Sequence, residues 1–449
     1  MLTYTFPENL NKPLYEYLYE CIKKDILSGR LKANEKLPSK RNLAKQLKLS
    51  LVTIETAYNQ LNVEGYIYSY EKKGYFVEDI TNVNINNDQQ IIEYKLVEDN
   101  KKTTKDFPYN IWNKLSRKVL SEYGDKNIPF NGDINLRIAI CKHLKQFHDL
   151  QIKPENIIIG AGSEYLYSLL INYFGRDKIV AIENPGHLSI ANIYKVNDVK
   201  TISIPLDDGG IDIKLLNSSK ADIVHISPAH HFPSGITTPL KRRQELIEWA
   251  KNTNGYIIED DYDSEFRYNS LPIPPLYQLD NSKHTIYMNT FTFSLSNHVR
   301  IAYMVLPDTL ISDFVNKLGF FHNTVSSYDQ KVLSLFIYEG HFERYINKMR
   351  KKYKAIHDEL LLKLIPLTKK YNLEIIEADS GLHFLLKHNY SVEDSLLEEK
   401  IKSMKLQFHT LSRYYHSYLN TKKIVISYHH IDDIDNFVYS LEKLFDSLF

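Results

Sequence analysis

Two groups of polar residues, far apart in the sequence, could together bind an anion. The first group follows an apolar run and opens a predicted helix, where unpaired backbone N–H groups and the helix dipole attract negative charge. The second group adds two hydroxyls and a guanidinium. The residues are Gly162, Ser163 and Glu164 in the first group, and Thr290, Thr292 and Arg300 in the second. A glycine before a helix is often only a turn, so a simple structural role is the alternative to a phosphate site.

Two histidine pairs, His230-His231 and His429-His430, raise the question of a metal site. Adjacent side chains on a strand point to opposite faces of the sheet. Neither pair has carboxylate or cysteine ligands at a recognisable spacing. The sequence therefore predicts that no metal is bound.

Short apolar runs alternate with helical segments from Phe107 onward, the pattern of an α/β domain. The runs are apolar throughout, which suits a sheet that is covered on both faces. The predicted strands are 157–159, 179–182, 223–226, 256–258 and 285–288. Two of them lead directly into the polar candidates, since Asp260 follows one strand and Thr290 follows another.

The N-terminal part of the chain has a different pattern. Leu and Ile residues recur every four positions between residues 12 and 28, which predicts an amphipathic helix. Ser39 and Ser50 are suitable N-caps for two further helices, which end near residues 47 and 64. The β-prone runs 66–70 and 75–77 then predict a hairpin. Together these elements predict a winged helix-turn-helix.

Composition and charge limit the class of protein. The chain of 449 residues is too long for one core, and 43% of its residues are hydrophobic. We find neither a signal peptide nor a run of eighteen apolar residues, and therefore expect a cytoplasmic protein that does not contact a membrane. Residues 22–74 contain eleven Lys or Arg against five Asp or Glu, although the net charge of the whole chain is +1. Such a basic face is often merely solvated, but it also suits a polyanion.

The N-terminal phrases PLYEYLYECIKKDILSGRL, KLPSKRNLAKQLKLS and TIETAYNQLNVEGYI resemble the GntR family of bacterial regulators. The resemblance implies that one helix reads the major groove of double-stranded DNA while flanking residues hold phosphates. By this resemblance the DNA contacts are Lys40, Arg41, Ser50, Thr53 and Tyr58, with Lys72 and Gly74 in the wing. Leu51 departs from the family, which usually has a guanine-reading arginine there, so altered site preference or weaker binding is expected.

Residues 107–449 resemble the aminotransferase class I domain of MocR-type regulators, and among them the GabR group. The matching phrases include PENIIIGAGSEYLYSLL, SPAHHFPSGITTPLKRR, IIEDDYDSEFRY and DSGLHF. The resemblance implies an α/β fold with a winged helix-turn-helix at residues 1–78 and a linker at 79–105. Fold-type I aminotransferase-like large and small domains then occupy 106–310 and 311–449. Within the linker, residues 91–96 could form a short strand.

The resemblance also assigns roles around pyridoxal phosphate (PLP). Asp260 would pair with the pyridinium nitrogen and Tyr262 with the ring hydroxyl, although a satisfied strand-end carboxylate and a packing tyrosine are equal alternatives. His187 could stack on the ring. The Schiff-base lysine of the family corresponds to Phe293, which can neither hold an aldehyde nor act as a base. His430 stands where the family has a carboxylate-binding arginine, so the resemblance implies that this contact is lost as well.

These observations predict a DNA-binding transcriptional regulator without transaminase chemistry. Its C-terminal part would mediate homodimerisation and could bind a small-molecule effector. We expect no covalent cofactor, and noncovalent PLP held by Asp260, Arg300 and the threonines is one alternative. An active aminotransferase is a second alternative, which the missing lysine opposes. A purely architectural dimer, with Phe293 in the cofactor volume, is a third.

Overall fold

A computed structural model describes residues 4–7, 12–80, 106–122, 124, 127–266, 273–281, 283–296, 298–378 and 381–448. The chain forms two compact units, Met1–Lys101 and Lys102–Phe449, called here the N-terminal and the C-terminal unit. The possible strand at 91–96 and nearly all of the predicted linker lie outside the described residues. Among the residues that the structure describes, no helix is both long and apolar enough to cross a membrane.

The N-terminal unit is a winged helix-turn-helix, as the sequence predicts. Its elements are α1 (Leu14–Leu27), α2 (Lys40–Leu47), α3 (Leu51–Val63), β1 (Ile67–Tyr70) and β2 (Gly74–Val77). The strands pair antiparallel, with Ile67 opposite Val77 and Tyr70 opposite Gly74. Leu18, Ile22 and Ile54 lie in a single buried cluster that joins α1 to α3.

Local sequence signals explain the helix bounds in this unit. The Ser39 hydroxyl accepts a hydrogen bond from the backbone N–H of Asn42 at the start of α2, and Ser50 does the same for Thr53 at the start of α3. Gly65 follows α3 with a φ of +76°, a left-handed conformation that a side chain would disfavour. The caps therefore fix where α3 begins and ends.

The C-terminal unit is built on an eight-stranded sheet with the order β3-β10-β9-β8-β7-β4-β5-β6 among its described residues. The strands are β3 (Ile157–Gly160), β4 (Ile179–Asn184), β5 (Lys200–Asp207), β6 (Gly210–Ile211), β7 (Ile223–Ile226), β8 (Tyr256–Asp260), β9 (Thr285–Thr290) and β10 (Ala302–Val305). All five predicted strands are present. The sequence patterns missed β5, β6 and β10. Strand β10 runs antiparallel to both of its neighbours, whereas β4, β5, β7, β8 and β9 are parallel.

Helices cover both faces of this sheet. Along β3, Ile157 and Ile159 belong to one buried cluster while Ile158 belongs to another, because alternate side chains point to opposite faces. The helices of the unit are α4 (Tyr109–Glu122), α5 (Ile134–His148), α6 (Ser163–Phe174), α7 (Leu188–Val196), α8 (Ile213–Ser218), α9 (Leu240–Thr253), α10 (Leu276–Leu279), α11 (Phe291–Ser294), α12 (Ile311–Leu318), α13 (Ser327–Tyr338), α14 (His341–Tyr371), α15 (Asp394–Ser403) and α16 (Ile434–Asp446). The α/β class predicted from alternating helices and strands is confirmed.

A smaller antiparallel sheet lies in the last quarter of the chain. It has the order β11-β12-β14-β13, with β11 (Glu374–Ile376), β12 (His383–Lys387), β13 (His409–Thr410) and β14 (Lys423–Ser427). The largest buried cluster contains Phe384 and Ile424 of this sheet together with Ile159 and Tyr303 of the large sheet. The predicted boundary at residue 310 therefore lies within one continuous apolar core, and it stays a prediction.

Candidate DNA interface and ligand pocket

The exposed start of α3 is the candidate DNA-reading surface of the N-terminal unit. Ser50 is exposed, and its hydroxyl contacts both the backbone N–H of Thr53, at 3.1 Å, and the Thr53 hydroxyl, at 2.7 Å. Leu51 and Val52, which follow directly, are 44% and 71% exposed. Exposed apolar side chains at the start of a recognition helix can contact thymine methyl groups but cannot hydrogen-bond guanine.

Two basic residues of α2 lie beside this surface. The ammonium of Lys40 is 2.6 Å from the Glu55 carboxylate on α3, and this hydrogen bond raises the pKa of Lys40. Its positive charge is thus partly compensated within the unit. Arg41, the next residue, is exposed. Of the two, Arg41 is the better candidate for a phosphate contact.

The wing presents Lys72 and Gly74, which the sequence assigned to DNA contacts. Lys72 is exposed at the tip with a φ of +61°, and Gly74 has a φ of +107°. Tyr58, by contrast, is fully buried, and its hydroxyl donates to the carbonyl of Pro38 at 3.0 Å. The DNA contact expected for Tyr58 is therefore wrong in this fold, because its side chain holds α3 against the segment that precedes α2.

In the C-terminal unit, the sheet topology brings the predicted pocket residues to one edge. Strands β8 and β9 are parallel, so Asp260 and Thr290 lie at neighbouring carboxyl ends. Strand β10 begins with Ala302, opposite both Gly160 and Thr290, which places Arg300 at the same edge as the start of α6. In open α/β sheets this edge is the usual place for a ligand.

Five of the six candidate anion ligands contact other groups of the chain at this edge of the sheet. The Glu164 carboxylate accepts a hydrogen bond from the Arg300 guanidinium at 3.2 Å. It also lies over Gly162, where an added Cβ would be 2.9 Å from its Oε2 atom. The Thr290 hydroxyl accepts from the N–H of Thr292 and contacts the carbonyl of Ile301 at 3.4 Å. The Thr292 hydroxyl donates to the carbonyl of Val299 at 3.2 Å. We call Gly162, Glu164, Thr290, Thr292 and Arg300 the anion cup.

Asp260 is satisfied by side chains rather than by backbone. Its carboxylate accepts a hydrogen bond from the hydroxyl of Tyr167, and the Nε2 atom of His225 is 3.9 Å away. Burial and the nearby carboxylate raise the pKa of Tyr167 well above its usual range, so the tyrosine remains a proton donor. Tyr167 was not predicted, although it follows Ser163 by four residues and therefore shares its helix face.

Phe293 packs among aromatic side chains at the pocket edge. Its ring centroid is 5.5 Å from that of Tyr262, nearly perpendicular, and 5.3 Å from that of His429. The side chain is 37% exposed, so it is not sealed in the core. The hydroxyl of Tyr262 is buried and has no hydrogen-bond partner among the described residues. Tyr262 therefore packs against Phe293, which is the structural alternative that the sequence left open for this residue.

His187 and His430 make contacts of different kinds, and their expected roles in the pocket stay predictions. His187 caps α7, since its Nδ1 atom accepts from the N–H of Ser189 at 3.3 Å. His429 and His430 lie in a short 3-10 helix, Tyr428–His430, with ring centroids 3.7 Å apart. The premise that adjacent histidines lie on a strand is therefore wrong for this pair. His430 is exposed, and the loss of a fixed positive charge at this position stays a prediction.

The other histidine pair also lies outside a strand, and its two side chains contact different residues, Asp263 for His230 and Ser234 for His231. His230 Nδ1 is 2.8 Å from the Asp263 carboxylate, and its ring centroid is 4.4 Å from that of His383. These three buried residues could hold a metal ion by type and distance. Sequence spacing missed this cluster, because Asp263 and His383 come from distant segments. That no metal is bound stays a prediction.

The geometry can be compared with the cofactor that the fold family implies. The resemblance places the amine that would hold PLP at residue 293 and the phosphate of PLP at the start of α6. Phe293 has no amine, and within the anion cup the Glu164 carboxylate lies over Gly162 and accepts a hydrogen bond from Arg300. Covalently bound PLP therefore does not fit these residues.

Comparisons with known proteins divide the chain into the same two parts. The model for bacterial regulatory proteins of the gntR family matches residues 14–77, and the model for aminotransferases of class I and II matches residues 82–430. The chain is 33% identical over 442 residues to the HTH-type transcriptional regulator YdeL of Bacillus subtilis, and the match covers 95% of each protein. The chain belongs to the gntR-type regulators with an aminotransferase domain. The predicted resemblance is confirmed.

Two further regulators share a smaller fraction of identical residues with this chain. The chain is 26% identical over 435 residues to the probable rhizopine catabolism regulatory protein MocR of Rhizobium meliloti, covering 90% of this chain and 88% of MocR. It is 28% identical over 386 residues to the pyridoxine biosynthesis regulator PdxR of Corynebacterium glutamicum, covering 82% of each. Among solved structures, a kynurenine aminotransferase of Pyrococcus horikoshii superposes with a TM-score of 0.67 at 22% identity, over 77% of this chain and 88% of the enzyme. The last likeness shows the fold alone.

Proposed function

We propose that the protein is a cytoplasmic DNA-binding transcriptional regulator whose aminotransferase-like unit binds an effector and forms a homodimer, without transaminase activity. The observation that carries this proposal is the complete winged helix-turn-helix with an exposed start of α3, in one chain with an aminotransferase fold. The regulator names of its relatives support it.

The N-terminal unit has the parts that major-groove binding requires. The side chains at the start of α3 are exposed, and Arg41 and Lys72 are exposed in neighbouring elements. In this class of fold the second helix of the turn enters the groove while flanking basic groups hold phosphates. Leu51 offers an apolar contact at the position where the family usually reads guanine.

The absence of an amine at residue 293 supports a regulatory rather than a catalytic role for the C-terminal unit. A Schiff base needs a primary amine, and the general-base role of such a group is worth about 10²- to 10⁴-fold in rate. The aromatic ring of Phe293 supplies neither. In the proposed regulator, an effector must bind one arrangement of the two units more tightly than another, since equal affinity would change nothing.

Homodimerisation would present two α3 helices to two half-sites. Recognition helices of dimeric regulators contact half-sites on one face of the duplex, so helical phasing sets their separation. We therefore expect a repeated or palindromic operator, and insertion of half a helical turn between its halves should weaken binding.

The test is a gel-shift titration with the DNA upstream of the protein's own gene. We expect specific binding whose logarithm falls linearly with the logarithm of salt, with a slope of about −0.9 per phosphate neutralised. Arg41→Ala should weaken binding and reduce that slope by about one contact. Lys241→Ala removes one exposed positive charge from α9 of the other unit and is the matched control. Equal binding by Arg41→Ala and Lys241→Ala would contradict the assigned DNA surface.

A further inference from the structure

The anion cup differs from an open phosphate site in one respect: it already contains an anion of the chain itself. Glu164 is in the first turn of α6, where the helix dipole favours a carboxylate. Its side chain turns back over Gly162 and reaches the Arg300 guanidinium at 3.2 Å. A phosphate that approached the N–H groups of this turn would meet the Glu164 carboxylate in the same place.

The other groups of the cup are also engaged within the chain. The Thr292 hydroxyl directs its proton to a backbone carbonyl, and the Thr290 hydroxyl caps α11. The carboxylate of Glu164 and the guanidinium of Arg300 have opposite charges, so together they add no net charge to the cup. A dianion would therefore gain little attraction there and would be repelled by Glu164.

We infer that Glu164 sets the ligand specificity of this pocket by excluding phosphorylated ligands, so that the effector is a small molecule without a phosphate group. The pair itself is a weak obstacle, because Arg300 and Glu164 are 62% and 54% exposed and exposed ion pairs stabilise little. The exclusion comes from the position and sign of the Glu164 charge. This inference deepens the proposed function, since it names the class of effector that the aminotransferase-like unit accepts.

The inference is tested with two probes that differ only by a phosphate, pyridoxamine 5′-phosphate and pyridoxamine. Neither probe has an aldehyde, so surface lysines do not react with it. Calorimetric titration of the full-length protein gives the ratio of the two affinities, which isolates the contribution of the phosphate. In the unmodified protein we expect pyridoxamine 5′-phosphate to bind more weakly than pyridoxamine, because the Glu164 carboxylate repels the phosphate. Glu164→Gln keeps the shape of the side chain and removes its charge, and should raise the ratio about ten-fold or more, in favour of the phosphorylated probe.

Two further variants make the result specific. Glu164→Gln combined with Arg300→Gln should lose the gain, because the guanidinium would be the main partner of the phosphate. Glu248→Gln changes an exposed glutamate on α9 and should leave the ratio unchanged. Binding of pyridoxamine 5′-phosphate by the unmodified protein as tight as or tighter than that of pyridoxamine, or no gain in Glu164→Gln, would overturn the inference. DNA binding measured on the same samples shows separately whether the proposed regulatory function holds.

Discussion

Tyr58→Phe distinguishes a buried structural tyrosine from a DNA-contacting one. In the structure the Tyr58 side chain is fully buried, and its hydroxyl donates to the Pro38 carbonyl at 3.0 Å. Removing the hydroxyl deletes one buried hydrogen bond and leaves its acceptor unsatisfied, which costs about 1 kcal/mol. For a unit of this size, about 1 kcal/mol lowers the melting temperature by roughly 4–8 °C. The affinity of the folded protein for DNA should not change.

Calorimetry measures the melting temperature of the variant, and gel shifts measure its affinity for DNA. Both tryptophans of the chain, Trp112 and Trp249, lie in the C-terminal unit, so tryptophan fluorescence follows that unit as an internal reference. The reasoning predicts that Tyr58→Phe lowers only the transition of the N-terminal unit, and that DNA affinity, measured well below that transition, is retained. A loss of DNA affinity of about ten-fold with an unchanged melting transition would refute it, since this result requires the hydroxyl to contact DNA.

Two other perturbations test separate parts of the structure. Ser50→Ala removes the cap of α3 and should destabilise the N-terminal unit by about 1 kcal/mol. Ser50→Asp keeps the cap and the stability, but its negative charge should weaken DNA binding by repelling phosphates. Denaturant unfolding measures the stability of both variants, and gel shifts measure their DNA binding. Burial raises the pKa of Glu183 from 4.5 to about 8, so the folded state holds this proton more tightly than the unfolded state does. Its contribution to stability is therefore present at low pH and is lost as pH rises from 4.5 to 8. In Glu183→Gln this pH-dependent loss should be absent. Between pH 4.5 and 8 the free energy of unfolding of the unmodified protein should therefore fall relative to that of the variant by about 1.4 kcal/mol per pH unit, a few kcal/mol in all, in tryptophan-monitored unfolding. Parallel pH profiles of the two proteins would contradict the assignment.

The N-terminal unit could be predicted almost completely from its sequence. Its signals are local, since Ser39 and Ser50 cap helices and a left-handed Gly65 ends one. The four-residue periodicity of α1 also places Leu18 and Ile22 in the core, although Leu14 of the same series is exposed. Tyr58 was misassigned because the family phrase gives its position in the helix but does not show which face of α3 packs inward.

The pocket was only partly predictable, because its contacts join distant segments. The sequence identified the correct edge of the sheet through the residues that follow β8 and β9. It could not show that Glu164 folds back onto Arg300, 136 positions away, or that Tyr167 donates to Asp260. It also placed both histidine pairs on strands, whereas His429 and His430 lie in a 3-10 helix. Strand β10, Ala302–Val305, was also missed, although it has the same length as the predicted strands β3 and β7.

The most direct test of the account is borohydride reduction of the full-length protein with one equivalent of PLP, followed by peptide mass mapping. The account predicts no visible aldimine band of the bound cofactor and no lysine that is modified in preference to the others, because residue 293 is a phenylalanine. A single lysine that is labelled stoichiometrically, together with turnover of amino and keto acids, would contradict it.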